Sequence, residues 1–346
     1  MNPVKNPPET PENPPGPPSS SPRRPPPGSL RFERPISRKP RPPPANPLFS
    51  ASLVSLSDGP NIHRTWNGVR LYVHGEHFRF GAFDLRATRL GRESFDEQID
   101  HAERLQGLNA SLIVMRGPKG PNTYLDPFWI HSENPAFRSG GHTGLDERDT
   151  YGARLWGQWG DLKFDWTLAR QTGEFMDRGV DAWGLFAVQS LALSHTGWKP
   201  RLTAHFDVAS GGDAYGTGNM RGFNQLYASS GYLGDGRFLS TCNLLMIAPG
   251  LSVSPTPATT LAIEYGFARR LAEDDAVYAG GMRAYPGTQN VSGQEIGGLL
   301  RVSGSWSVTK HLTLFVDYEH LAAGDVLRHA GLPSGSYGYV GATFRY

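Results

Sequence analysis

An antiparallel transmembrane β-barrel is the fold class the sequence predicts. Three observations predict it. Apolar and polar residues alternate one for one over many short segments. Short and long connections between those segments also alternate. No run of about 18 apolar residues is available to form a membrane helix. Strict alternation places successive side chains on opposite faces of a strand. The apolar face of such a strand needs cover, and every candidate partner here is another strand of the same kind. A closed sheet with lipid outside and water inside satisfies all of them.

Composition agrees. The 346 residues suffice for one large barrel, and 42 glycines with 11% aromatics suit a protein of strands, turns and interfacial rings. A net charge of +2 with 19% charged residues gives no field that would point to nucleic acid. The single cysteine, Cys242, excludes an internal disulfide and a cysteine-based zinc site.

Residues 1–48 are a different material. Eighteen of the 29 prolines precede residue 50, in runs such as Pro25-Pro26-Pro27 and Pro42-Pro43-Pro44. Such a segment supports neither ladder nor helix and is predicted to be disordered. A basic start followed by an apolar run, the mark of a secretory signal, is not visible in it, which sits against an outer-membrane reading unless the true start lies upstream. Residues 49–346 form the predicted barrel domain.

Fourteen strands are predicted, near 49–56, 66–74, 77–88, 107–116, 122–131, 149–159, 161–171, 181–194, 198–209, 240–253, 259–270, 294–308, 311–322 and 335–346. The clearest dyads set Leu162, Phe164, Trp166 and Leu168 against Lys163, Asp165 and Thr167. Leu202, Ala204, Phe206 and Val208 stand against Arg201, Thr203, His205 and Asp207, and Leu312, Leu314, Val316 and Tyr318 against Thr313, Phe315, Asp317 and Glu319. The stretch 181–194 is ambiguous, because Phe186 and Val188 fall on the polar side. Tight connections at 74–77, 117–121, 160, 196–197, 254–258 and 310 alternate with long ones at 57–65, 89–106, 132–148, 172–180, 210–239, 271–293 and 323–334. Barrels of the outer membrane sort their loops this way, short toward the periplasm and long outside. A large soluble antiparallel protein has no reason to.

Several ordered segments are familiar. Leu53-Val54-Ser55, Asp58-Gly59-Pro60-Asn61 and Trp66-Asn67-Gly68-Val69-Arg70 resemble the bacterial alginate export family. So do Lys199-Pro200-Arg201-Leu202, Ala209-Ser210-Gly211-Gly212-Asp213, Phe223-Asn224-Gln225-Leu226-Tyr227, Asp275-Ala276-Val277-Tyr278 and Gly324-Asp325-Val326-Leu327. The resemblance covers about residues 50 to 346. It implies an outer-membrane barrel; the family's characterised member is an 18-stranded, anion-selective pore that exports a polyuronate. The family's first strands have no counterpart here, and the proline-rich segment stands in their place.

With the apolar dyad facing lipid, the lumen receives Arg70, Arg154, Lys163, Asp165, Arg201, His205, Asp207, Glu264, Arg301, Asp317, Glu319 and Arg345. Rings of Arg and Lys favour anions in a narrow pore, and the guanidinium fork matches a carboxylate. Arg154, Lys163, Arg201, Arg301 and Arg70 are the expected anion contacts. The plainer alternative is that each cation braces the wall against a carboxylate such as Asp165, Asp207 or Asp317. The expected partners are outer-membrane lipid, an anionic polysaccharide or small anions, and periplasmic export or barrel-assembly components. No nucleic acid, metal or cofactor is expected.

Weaker signals point elsewhere. Asp213 and Asn219 could hold Ca²⁺, but a mobile glycine-rich outer loop is the simpler reading. Gly216-Thr217-Gly218 to Gly222 has the wrong spacing for a dinucleotide fingerprint. His74 and His77 lie at a turn rather than on one helix face. Glu273, Asp274 and Asp275 lack the opposed partner a glycosidase needs. Trp156, Trp159, Trp166, Trp183 and Trp306 fit an interfacial girdle better than sugar stacking. A barrel-anchored enzyme or adhesin would require an organised acid pair or triad at the loop end, and a non-conducting barrel remnant stays open.

Overall fold

The computed structural model describes residues 52–54, 65–75, 77–89, 98–116, 122–229 and 231–345. The expectation for residues 1–48 lies outside them. Thirteen strands form one antiparallel sheet in chain order. They are β1 (Trp66–His74), β2 (Phe78–Arg89), β3 (Gln98–Met115), β4 (Thr123–Ser139), β5 (His142–Trp159), β6 (Leu162–Phe175) and β7 (Arg178–Ala192). Then follow β8 (Arg201–Ala209), β9 (Leu244–Thr256), β10 (Thr259–Arg269), β13 (Glu295–Ser307), β14 (Leu312–Ala323) and β15 (Gly335–Phe344). Between β10 and β13 lies a separate small hairpin of β11 (Tyr278–Ala279) and β12 (Arg283–Ala284), and a short helix α1 (Asp325–His329) precedes β15.

The registers confirm the dyads. Lys163 pairs with Ser190, Asp165 with Val188, Glu264 with Arg301 and Arg301 with Glu319, so the predicted lumen residues share one face. The other face carries Leu168, Leu202, Leu261, Ile263, Val316 and Val340, all exposed. That is the order a lipid-facing sheet requires.

Three expectations need correction. The predicted strand at 49–56 lies largely outside the described residues. Its described part, Ser52 to Val54, is buried and makes an isolated parallel bridge from Val54 to Tyr227, and the sheet counts thirteen strands among the described residues. The long connections expected at 132–148 and 172–180 are strand, as is the 98–106 part of the one expected at 89–106. β4 and β5 continue to a two-residue turn at Gly140-Gly141 with φ of +57° and +82°. β6 and β7 turn at Met176-Asp177, with φ of +47° and +66°. Positive φ at both central residues marks the hairpin turn whose twist matches that of its strands.

Those extensions explain outward charges that a lipid face would not tolerate. Arg104 pairs with Asp84 at 2.7 Å, His131 with Asp149 at 3.1 Å, and Arg170 with Asp181. They lie level with or beyond Trp129, Tyr151 and Trp183, on the long-loop side of those outward aromatics. The third correction is the loop 210–239, which was expected outside and is folded within the sheet.

β1 and β15 are the edges of the sheet, and no ladder joins them among the described residues. Each runs toward the short-turn end, so antiparallel closure between them requires a strand of opposite sense. Unpaired backbone groups do not face hydrocarbon without a cost of several kcal/mol each.

Candidate pore lumen

Inner-face residues of six wall strands hold the β8–β9 connection. Near its start, Asp181 N donates to Met220 O and Met220 N to Gly179 O, so the segment first adds to the end of β7. It then crosses the interior. Arg148, fully buried on β5, donates to Gly222 O at 2.9 Å and to both oxygens of Asp146 at 2.8 and 2.9 Å. Gln171 on β6 exchanges two hydrogen bonds with the Asn224 backbone, each 2.8 Å. Tyr232 donates its hydroxyl to Asp207 on β8 at 2.6 Å. Arg301 on β13 donates to Tyr232 O. The Glu319 carboxylate on β14 accepts from Asp235 N at 2.6 Å and Gly236 N at 3.0 Å. Buried polar groups are costly unless paired, and this plug pairs them with the wall.

Apolar contacts reinforce the seat. Phe186 projects inward and meets Phe223 at 5.3 Å and Tyr232 at 6.3 Å between ring centroids. The ambiguity of 181–194 is thereby resolved: the apolar residue on the polar face covers the plug, not lipid. Leu244, Met246, Leu299 and Leu321 are likewise inward and buried. The segment Ser52–Val54 joins the same assembly, since Tyr227 N donates to Leu53 O at 2.9 Å and Tyr227 packs edge-on against Trp66 at 4.5 Å.

Below the plug lies a cavity of about 530 Å³ lined by Lys163, Asp165, His205, Asp235, Glu264, Arg301, Asp317 and Glu319. Its carboxylates outnumber its permanent cations. Arg301 is paired with Glu264. Arg154 is buried and reaches Asp165 with Nε at 2.7 Å, with its guanidinium 5.0 Å from the Trp156 ring centre. These two of the five expected anion contacts are committed to the wall. Lys163, Arg201 and Arg70 are placed differently. Arg201 donates to Ser190 Oγ at 2.9 Å, and Ser190 is the register partner of Lys163. Arg70 and Arg79 flank the Tyr72 ring at 6.0 and 5.1 Å. None of these four forms an ion pair with a described carboxylate, and all are inward-facing near the short-turn end.

Trp156 is inward rather than in the girdle: it stacks on Tyr124 at 4.4 Å and donates to Asp126 at 2.6 Å. Asp213 faces Arg221 at 3.9 Å and backbone of its own loop. Asp275, in the acidic cluster, is fully buried and accepts from Gly212 N, Ala276 N and the Tyr278 hydroxyl; burial pushes its carboxyl above the ordinary range. The sequence reading missed the plug and its anchors Arg148, Gln171 and Glu319. The signal that could have found them is the apolar residue on the polar dyad.

The alginate export family model matches residues 49–340. The chain belongs to the alginate export family. As a member it is an outer-membrane β-barrel of the export-pore type, set in a lipid environment. No curated protein matches it. Among solved structures it is similar to outer membrane phospholipase A from Escherichia coli, at 10% identity over 78% of this chain and 91% of that one, with a TM-score of 0.25. It is also similar to OmpT, an outer membrane protein of Vibrio cholerae, at 8% identity over 82% and 95%, with a TM-score of 0.28.

Proposed function

We propose that this alginate export protein is a gated pore for an anionic polysaccharide, or for smaller anions, rather than an enzyme. The observation that supports it is the basic inner rim at the short-turn end. Arg70, Arg79, Lys163 and Arg201 are free of carboxylate partners among the described residues, whereas Arg154 and Arg301 are neutralised by the wall. A rim of like charge raises the local concentration of anions at the periplasmic mouth. The plug then sets the gate, and passage requires residues around 222–238 to leave the wall. The driving force comes from synthesis or a gradient, because no covalent step is involved. Periplasmic export and barrel-assembly components are the partners such a pore needs.

The test is single-channel conductance of the refolded chain in a planar bilayer, with the reversal potential read in a salt gradient. Brief openings with anion selectivity are expected. Cation selectivity would defeat the assignment of the rim. A non-conducting barrel is the second reading, since no ladder joins β1 and β15 among the described residues; folded protein that never opens would support it.

A further inference from the structure

A second cavity, about 630 Å³, opens on the long-loop side of the plug. It lies between the β4–β5 hairpin tip, the plug and the β11–β12 hairpin. Its size falls in the range of about 300–1,000 Å³ typical of small-molecule sites. Its chemistry differs from that of the lower cavity. No carboxylate lines it. Arg138, His142 and Arg283 do, all exposed, and neither arginine forms an ion pair with a described residue. Arg283 spends only Nε, on Gly280 O at 3.1 Å. The Tyr215 ring is 40% exposed and lines the same space, while the other tyrosines there are buried. Asn134 and Gln225 add amides, and Asn134 keeps its Nδ2 donors because only its Oδ1 is used, by Ala136 N at 3.0 Å.

The walls are built, not incidental. The hairpin tip is held against the plug, where a Cβ on Gly140 would fall 1.8 Å from Ala214 O.

We propose that this cavity is an exit site for one or two acidic sugar units on the extracellular side of the plug. Each component meets one part of such a unit. The guanidinium groups take the carboxylate through charge-assisted bonds, the amides take hydroxyls, and the tyrosine face covers the apolar side of the ring. A simple inorganic anion would use the arginines and leave the ring and amides idle. The choice of an acidic sugar rests on the proposed export function; the cavity and its charge do not. In transport terms, the site holds a segment of chain beyond the gate and so disfavours its return.

Calorimetric titration of the full refolded chain in detergent tests this, with a mannuronate trimer and the uncharged mannose trimer of the same linkage as probes. The acidic trimer is expected to bind at least about tenfold more tightly than the neutral one, since hydrogen bonds to charged groups dominate. Arg138→Gln and Arg283→Gln should each weaken it about tenfold or more. Lys310→Gln, in a short turn outside both cavities, should leave it unchanged. Equal binding of the two trimers, or full binding by the Arg138/Arg283 double variant, would overturn the site. A loss with Arg201→Gln as large as with Arg138→Gln would also overturn it, by moving the binding to the lower rim. Because the titration does not need an open channel, binding that follows these variants in a chain that never conducts would sustain the site and defeat only the pore.

Discussion

Replacing Tyr232 by Phe is the most direct test of the plug as a gate. The hydroxyl makes a single 2.6 Å bond to Asp207, whose carboxylate is fully buried. The ring stays in place, because its contacts to Phe186 at 6.3 Å and His205 at 5.7 Å do not involve the oxygen. The remaining neighbour of Asp207 is His205, whose Nδ1 lies 3.6 Å away, too far for a hydrogen bond. The variant therefore removes one hydrogen bond to a charged group, about 1.5–3 kcal/mol. At 1.4 kcal/mol per factor of ten, the ratio of displaced to seated plug should rise roughly ten- to a hundredfold. No charge is added or removed, so selectivity should not change. The assay is open probability in single-channel records, with heat-modifiable mobility on gels to establish that the barrel is folded. A folded variant with wild-type open probability would refute the view that this contact holds the gate.

Other perturbations probe other parts of the molecule. Leu314→Arg places a charge on the outer face of β14, beside Val316 and opposite Ala342 of β15; it should cost about 2–4 kcal/mol in refolding titrations, and a neutral result would invert the two faces. Arg201→Glu reverses a rim charge without breaking an ion pair, so the reversal potential should move toward cations while stability is kept. Asp275→Asn addresses pH. Burial raises that carboxyl in the folded loop, so its contribution to stability is present below the ordinary carboxylate pKa and is lost as pH rises through the raised value. Amide protection in residues 270–294, taken relative to intrinsic exchange at each pH, should therefore fall from acidic toward neutral pH in the native chain, and the asparagine variant should flatten that dependence.

The sequence by itself determined the barrel. Alternation is local: a residue such as Leu314 or Val316 faces lipid because its neighbours two positions away do, and the backbone period enforces it. For the same reason charged residues named from the sequence, such as Glu264, Arg301 and Glu319, share one face of the sheet. The family was legible in segments such as Phe223-Asn224-Gln225-Leu226-Tyr227, although nothing in that run says that it lies inside the barrel. The tertiary structure alone decided which cations are free. Arg154 and Arg301 look like Arg201 along the chain, yet they meet Asp165 and Glu264 on neighbouring strands. Sequence distance carries no such information, because partners across a sheet depend on register and on what fills the lumen. The plug is the extreme case. Its seat joins Gly222 to Arg148 and Gly236 to Glu319, contacts separated by 74 and 83 residues, which no short-range pattern records. Its one local trace, Phe186 on a polar face, becomes readable only once Phe223 lies against it.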